Sequence, residues 1–398
     1  MKKGIISMLC IALAVGTLTG CGSKKEDNRL VIWTNMNVGV DTLQKYADTW
    51  GEQNGYEVEV IHQSPSVQQF AQAVKSAEGP DAVVGIPNDQ LADYVNAGLT
   101  AEVPAELYND ADFSEAAVQA CYVDGKRYAA PLSVETTALF YNTDMVEKVP
   151  ATWEELVEQA VENGGVQFDA TSIYYDLGFV RACGGYIFNY QNGAYDTSDI
   201  GLANDGAVQA YHFLDDLCNR YGLITADVTA DIARSNFQNG KCAYYIGGPW
   251  DIDGFTSAET PFGITEMPTF HGQAFVTPVG TQVSFVGKDS DKQEPAWSFI
   301  KYLIENGAKD LYEAGDRIPA RLSDQELEEI RENAYAKAFI VQINQGEPMP
   351  TVSEMGQLWS IHVNNIRSMW SGEQTPEEAA KNMVAQLEEA VELMNSGK

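Results

Sequence analysis

Positive charge is scarce in this chain. Lysine and arginine together number 25 against 57 aspartates and glutamates, a formal net charge of -32. A surface that acidic argues against nucleic acid and against adsorption to anionic lipid. Histidine is nearly absent: His62, His212, His271 and His362 show no metal spacing with one another or with cysteine, so no metal or other cofactor is expected. Of six cysteines, Cys121, Cys183, Cys218 and Cys242 are widely spaced and form no C-x-x-C pair. A disulfide is permitted outside the cytoplasm but not indicated, and buried free thiols fit as well. Catalytic signatures are missing too. Gly240-Lys241-Cys242 lacks the spacing and hydroxyl of a phosphate loop, and neither G-x-S-x-G nor H-E-x-x-H occurs. Adjacent carboxylates such as Asp215-Asp216 read as solvated faces. These absences point to a binding protein and away from an enzyme. A glycan hydrolase, which needs only two carboxylates flanking one bond, stays as the alternative.

The N-terminus is the most informative stretch present. Lys2 and Lys3 precede an apolar run from Ile5 to Leu18, followed by Leu18-Thr19-Gly20-Cys21. A basic start, a short apolar core and small residues at the junction are the parts of a secretory signal. The run is too short for a stable membrane span. Leu18-Thr19-Gly20-Cys21 resembles the bacterial lipobox, which implies cleavage before Cys21 and a lipid on its sulfur. Residues 1–20 are then a signal peptide and 21–28 a polar tether. The expected location is extracytoplasmic, at the cell membrane, through two acyl chains.

Past the tether the pattern is α/β. Leu30-Val31-Ile32-Trp33, Val58-Glu59-Val60-Ile61 and Ala82-Val83-Val84-Gly85-Ile86 read as strands. Helical spacing separates them at Leu43, Tyr46, Ala47 and Trp50, and at Val67, Phe70, Ala71 and Val74. Such alternation predicts a parallel sheet whose ligands lie beyond the carboxyl ends of its strands, so the loops after Trp33 and Ile86 are the first candidates. Thr152-Trp153-Glu154-Glu155 reads as a capping box opening a helix, and Thr375-Pro376-Glu377-Glu378 as another that opens a last helix ending near Leu393. Gln282 to Val286 reads as a return strand and Pro295 to Ile304 as a helix. A chain of 398 residues is too long for one core and suggests two domains.

Several distinctive blocks follow one another along the chain. They are Leu30 to Trp33 with Asn35, Gly79-Pro80-Asp81, Tyr94 to Leu99, and Ala130-Pro131 through Glu135 to Asn142. Gly184-Gly185-Tyr186 to Asp196, Phe237 to Gly240, Gly248-Pro249-Trp250, Met267-Pro268-Thr269-Phe270, and Gly346 to Pro350 with Trp359 complete the set. Taken in order, these blocks resemble the maltose/maltodextrin-binding proteins, extracytoplasmic solute receptors of ABC importers, and the resemblance covers nearly the whole chain after the tether. It implies a two-lobed periplasmic-binding-protein-like α/β fold with a cleft and three interlobe crossovers, near Ser133–Thr137, Pro278–Gln282 and Glu328–Tyr335. The first lobe would take residues 29–133 and 283–330, and the second 137–280 and 335–395.

The same resemblance implies the site. A flat aromatic covers the C–H face of a sugar ring, while amides and carboxylates take its hydroxyl edge. Trp250, Trp359 and Tyr174 would stack on sugar rings, Met349 would line the groove and Glu135 would accept hydroxyls near the hinge. Tyr175, Asn35, Asn37, Asn88 and Asp89 are the further candidate contacts. Trp33, Trp50, Trp153 and Trp297 are expected in packing. The chain departs from the family where a charged pair is replaced by Asn37-Val38 and a stacking tryptophan by Gly85. Ser172 and Val363 replace a glutamate and an arginine. The expected partners are a neutral oligosaccharide of maltodextrin type, the transmembrane subunits of an ABC permease and, through Cys21, the membrane. The protein is expected to be a monomer.

Overall fold

Short β-branched and aromatic runs bounded by turn residues form the strands. The computed structural model describes residues 28–36, 39–76, 79–191 and 194–396; the signal segment, Cys21 and Asn37 lie outside them. In chain order the first strands are β1 (Arg29–Thr34), β2 (Glu57–His62), β3 (Ala82–Pro87), β4 (Tyr122–Val123), β5 (Lys126–Arg127), β6 (Ala130–Glu135), β7 (Ala138–Asn142) and β8 (Val166–Gln167). There follow β9 (Phe188–Gln191), β10 (Ala194–Ile200), β11 (Tyr244–Gly247), β12 (Phe262–Thr265), β13 (Pro278–Val286), β14 (Ile318–Pro319) and β15 (Glu347–Pro348).

Two sheets organise the chain. The larger runs β14-β6-β13-β3-β1-β2, with β15 beside β13, and the smaller runs β12-β7-β11-β8. The three strands read from the opening alternation pair in parallel, β1 with β2 and β1 with β3. Strand β13 runs antiparallel to both β3 and β6. Each sheet carries its own helices and defines one lobe. The turn Gly79-Pro80-Asp81 is pinned beneath the large sheet, because Asp81 accepts from the Val31 N–H at 2.9 Å and from the Ser290 hydroxyl at 2.7 Å.

The chain changes sheet between β6 and β7, at Thr136–Thr137, and between β12 and β13. Thr136 is fully buried, and its hydroxyl lies 2.7 Å from both the Thr277 hydroxyl and the Pro278 carbonyl, tying the two passages together. The second passage precedes Pro278, so Pro278–Gln282 already belongs to β13. A further return was not expected. β15 rejoins the large sheet because Glu347 N and Met349 N donate to the carbonyls of Thr277 and Val279.

Of the two expected capping boxes one closes, and the other keeps its N-cap but shifts its return bond by one residue. Thr152 accepts from Glu155 N, but Glu155 reaches back to Ala151 N. Thr375 and Glu378 bond reciprocally, and their helix runs Pro376–Ser396. Trp50, Trp153 and Trp297 are buried, while Trp33 packs edge-on to Phe70. The four described cysteines are free thiols.

Candidate ligand-binding site

Strand directions bring one end of each sheet to the gap between the lobes. Gln282 pairs with Pro87, Gly280 with Glu135 and Ile318 with Val134. The carboxyl ends of β3 and β6 and the starts of β13 and β14 therefore share one edge. In the small sheet Gly247 pairs with Ala138, so the turn after β11 faces the same crossover. β8 runs parallel to β11, which puts the start of the next helix, Ile173–Ala182, at that end too.

Glu135 sits where β6 stops. One oxygen accepts from Gln282 Nε2 and the other from Arg317 Nη1, each at 2.8 Å. Each oxygen keeps a lone pair for a further donor. Gly280 lets the second lobe approach: a Cβ there would stand 3.3 Å from Glu135 Cγ and 3.5 Å from the Tyr174 hydroxyl. Burial, then the charges of Glu135, Tyr175 and Asp89, hold the Tyr174 phenol well above its ordinary range, so it remains a hydrogen-bond donor.

The aromatics converge. Tyr174 lies 5.8 Å from Tyr175 and 6.2 Å from Trp250, centroid to centroid. Trp250 is 39% exposed, high for a tryptophan in a chain whose other large aromatics are mostly covered. Its turn is held by Asp251, which is buried and accepts from Arg234 Nε at 2.6 Å, the Tyr245 hydroxyl at 2.9 Å and Gly248 N at 3.2 Å. Burial still pushes the Asp251 carboxyl up, against the pull of Arg234.

Asp89 follows β3 in the short turn Asn88–Gln90. Burial raises its pKa, and its own backbone N–H and the Trp359 side chain beside it oppose that rise. Trp359 belongs to the helix Met355–Trp370 of the other lobe, so this contact crosses the gap. Asn96 donates to Ser353 Oγ at 2.8 Å and Gln119 to the Tyr195 hydroxyl at 3.2 Å, further links between the lobes. The lobes thus meet directly. One surface cavity, of about 580 Å³, lies in the first lobe beside Tyr108 and Arg127, and another, of about 790 Å³, opens between the lobes where Asn96, Gln119, Tyr195 and Ser353 meet.

Of the expected contacts, the structure brings together Glu135, Asp89, Tyr174, Tyr175, Trp250 and Trp359. Asn35 lies just beyond the end of β1, partly buried at the same edge. Two residues are used differently. Asn88 is 1% exposed: its amide donates to the Met349 carbonyl and Thr351 Oγ1, and its oxygen accepts from Thr281 N. That amide is spent tying the lobes' shared wall, which leaves no free polar edge for a ligand. Met349 is 3% exposed and packs into the core beneath the groove instead of lining it. Gly85 has φ +73°, and a Cβ there would stand 2.2 Å from the Met36 sulfur. Met36 therefore occupies the space over Gly85 where the resemblance leads one to seek an aromatic.

Arg317, Gln282, Arg234 and Asp251 were not anticipated. Only the neighbourhood of Asp251 to Trp250 hinted at one of them. Among the described residues no group of three or more His, Cys, Asp or Glu is arranged to hold a metal, and no helix is long and apolar enough to cross a membrane.

The profile of the family described as bacterial extracellular solute-binding protein matches residues 45–338. The galactooligosaccharide-binding protein of Bacillus subtilis (strain 168) is 27% identical, over 100% of this chain and 99% of that protein. The maltooligosaccharide ABC transporter solute-binding lipoprotein of Streptococcus pneumoniae (strain ATCC BAA-255 / R6) is 25% identical, over 96% and 95%. The maltose-maltodextrin binding protein of Alicyclobacillus acidocaldarius superposes with a TM-score of 0.83 at 30% identity, over 90% of this chain and 100% of that one.

Proposed function

The chain belongs to the bacterial extracellular solute-binding proteins, and from that premise we propose that it is the sugar receptor of an ABC importer. It takes neutral, maltodextrin-type α-glucan oligosaccharides between its lobes and delivers them to a membrane permease. The observation that carries this reading is the meeting of Tyr174, Trp250 and Trp359 with Asp89 and Glu135 at one gap. The aromatics offer faces to sugar C–H groups and the carboxylates offer acceptors to hydroxyls.

The lobes, residues 29–133 with 278–330 and 137–277 with 335–395, part at the crossovers to admit the sugar and close over it. Sugar favours the closed form because only there does it touch both Glu135 and Trp250; equal affinity for both forms would shift nothing. The permease reads the closed form. Cleavage before Cys21 and lipidation of its sulfur hold the monomeric receptor at the membrane.

One observation favours a second neutral ligand. The relative that binds galactooligosaccharides aligns over the full chain, and the first lobe has exchanged a charged pair for Asn37-Val38. Calorimetry with α-1,4-glucans and with galactooligosaccharides in parallel separates the two. Heat with the glucan series supports the first reading, heat with galactooligosaccharides alone supports the second, and heat with neither rejects both.

A further inference from the structure

Behind the aromatic platform lies a polar pair that the proposed sugar contacts do not use. Asp176 is two residues beyond Tyr174 on the helix Ile173–Ala182, and His362 three beyond Trp359 on the helix Met355–Trp370. Neither side chain has exposed surface, and Asp176 Oδ2 lies 3.8 Å from His362 Nε2. His362 Nδ1 is 2.9 Å from the Thr171 carbonyl. A carbonyl only accepts, so Nδ1 carries a hydrogen, and Nε2 of a neutral ring presents a lone pair. Neither oxygen of Asp176 has a hydrogen-bond partner among the described residues, and neither has Nε2.

An ionised carboxylate in such a place would be strongly disfavoured. A buried ion pair needs close geometry and further hydrogen bonds to offset its desolvation, and this one has neither. Among the described residues, the titratable groups that act on it bring no positive charge. They are Asp169, in the loop before the Tyr174 helix, and Tyr211, whose ring lies 6.3 Å from His362. Burial holds Asp176 well above the carboxylate range, and it holds His362 down at about 4.

We infer that Asp176 and His362 are a neutral pair, a carboxylic acid facing the Nε2 lone pair of a neutral imidazole, which locks the Tyr174 helix to the Trp359 helix. At 3.8 Å the contact is not yet a hydrogen bond; a side-chain adjustment of about 1 Å brings O–H and N within range. A directional polar link sets the register of two helices, whereas apolar surfaces can slide. Asp176 and His362 are thus positioning residues for the spacing of Tyr174 and Trp359. That role rests on the proposed reading of those aromatics as sugar contacts; the protonation state does not.

The test has ligand-free and ligand-bound arms. In the folded parent near neutral pH, infrared spectra in D2O are expected to show a carboxylic-acid carbonyl band that Asp176→Asn removes. Nitrogen NMR is expected to show His362 with Nδ1 protonated and Nε2 bare. A missing band or a doubly protonated ring overturns the neutral pair. For positioning, 5-fluorotryptophan at position 359 should give one fluorine resonance in the parent and in Asp176→Asn, which keeps a donor. Asp176→Leu, of similar size without one, should split or broaden it. With sugar, Asp176→Asn should keep affinity within about threefold, and Asp176→Leu should lose about fivefold or more, as for one neutral hydrogen bond. A Leu variant with the parent's resonance and affinity overturns the positioning role. If Asp176→Leu does not fold, Asp176→Asn decides: a split resonance in that donor-retaining variant overturns the role. A parent that binds no sugar defeats the sugar reading while the infrared, nitrogen and fluorine arms still decide the pair.

Discussion

Truncating Trp250 is the sharpest test of the aromatic platform. A tryptophan covers on the order of 250 Å² when fully buried. With 39% of it exposed, roughly 100 Å² remains for a ligand to cover. A sugar ring lying on one face removes about half to all of that from water. At ~25 cal/mol per Å², that is about 1.2 to 2.5 kcal/mol. Trp250→Ala should therefore weaken binding roughly 8- to 70-fold. The fold should survive, since the turn is held by Asp251 through Arg234, Tyr245 and Gly248 N, not by the indole. A thermal melt should lose about 1 kcal/mol or less. Calorimetry with maltotetraose reads the affinity. Tyr221→Ala, which removes a surface aromatic of similar exposure at 36%, is the control and should bind like the parent. A folded Trp250→Ala protein that binds within about twofold of the parent refutes the reasoning, since even the lower bound predicts more.

The other predictions draw on the hinge edge, the floor and the charge. Arg317→Met removes the charged partner of a mostly buried Glu135 and should weaken sugar binding by about 2 kcal/mol, more than Arg317→Lys, which keeps a cation beside the carboxylate; calorimetry on both decides, and the reverse order contradicts the geometry. Gly85→Ala meets both a left-handed φ and the Met36 sulfur, so it should cost about 1–2 kcal/mol in urea unfolding, partly recovered by adding Met36→Ala; no loss would contradict the placement of Met36. Asp316 is raised to about 6 by burial and then by Asp253, above its unfolded value of about 4. Its contribution is therefore full below about pH 4 and lost as pH rises through 6, while that of His362, lowered to about 4, is present above about 6.5 and lost as pH falls. Asp316→Asn should accordingly raise the melting temperature at pH 7.5 and leave it unchanged at pH 4, and an equal effect at both contradicts the assignment. Small-angle scattering at saturating sugar should give a radius of gyration no larger than without it, and an expansion on binding contradicts closure.

Local signals carried much of the fold. The β1, β2 and β3 runs, the two N-terminal helices and the N-caps Thr152 and Thr375 were visible because each is set by neighbours in sequence. Two-residue strands such as Val166–Gln167 and Glu347–Pro348 were not, because tertiary pairing alone defines them. β13 begins earlier than Gln282 because its first residues pair with β15, which no local pattern announces. The site divides in the same way. Trp250 and Trp359 stand in the motif blocks, and Tyr174 came as a candidate with the family resemblance. Arg317 stands 182 residues from Glu135, and nothing near either marks the pair. Asn88 misled because an asparagine in a loop after a strand reads as an available amide. Its partners lie 261 and 263 residues away, and only the fold shows that the amide is spent.

The central claim is that the gap between the lobes is a site for neutral α-glucan chains. Titrating the lipid-free protein, beginning just after Cys21, with maltose through maltoheptaose in a calorimeter tests it most directly. Saturable one-to-one binding, strengthening as the chain grows long enough to cover Tyr174, Trp250 and Trp359, is the predicted result. The absence of heat and of any thermal shift with every member of the series would contradict it.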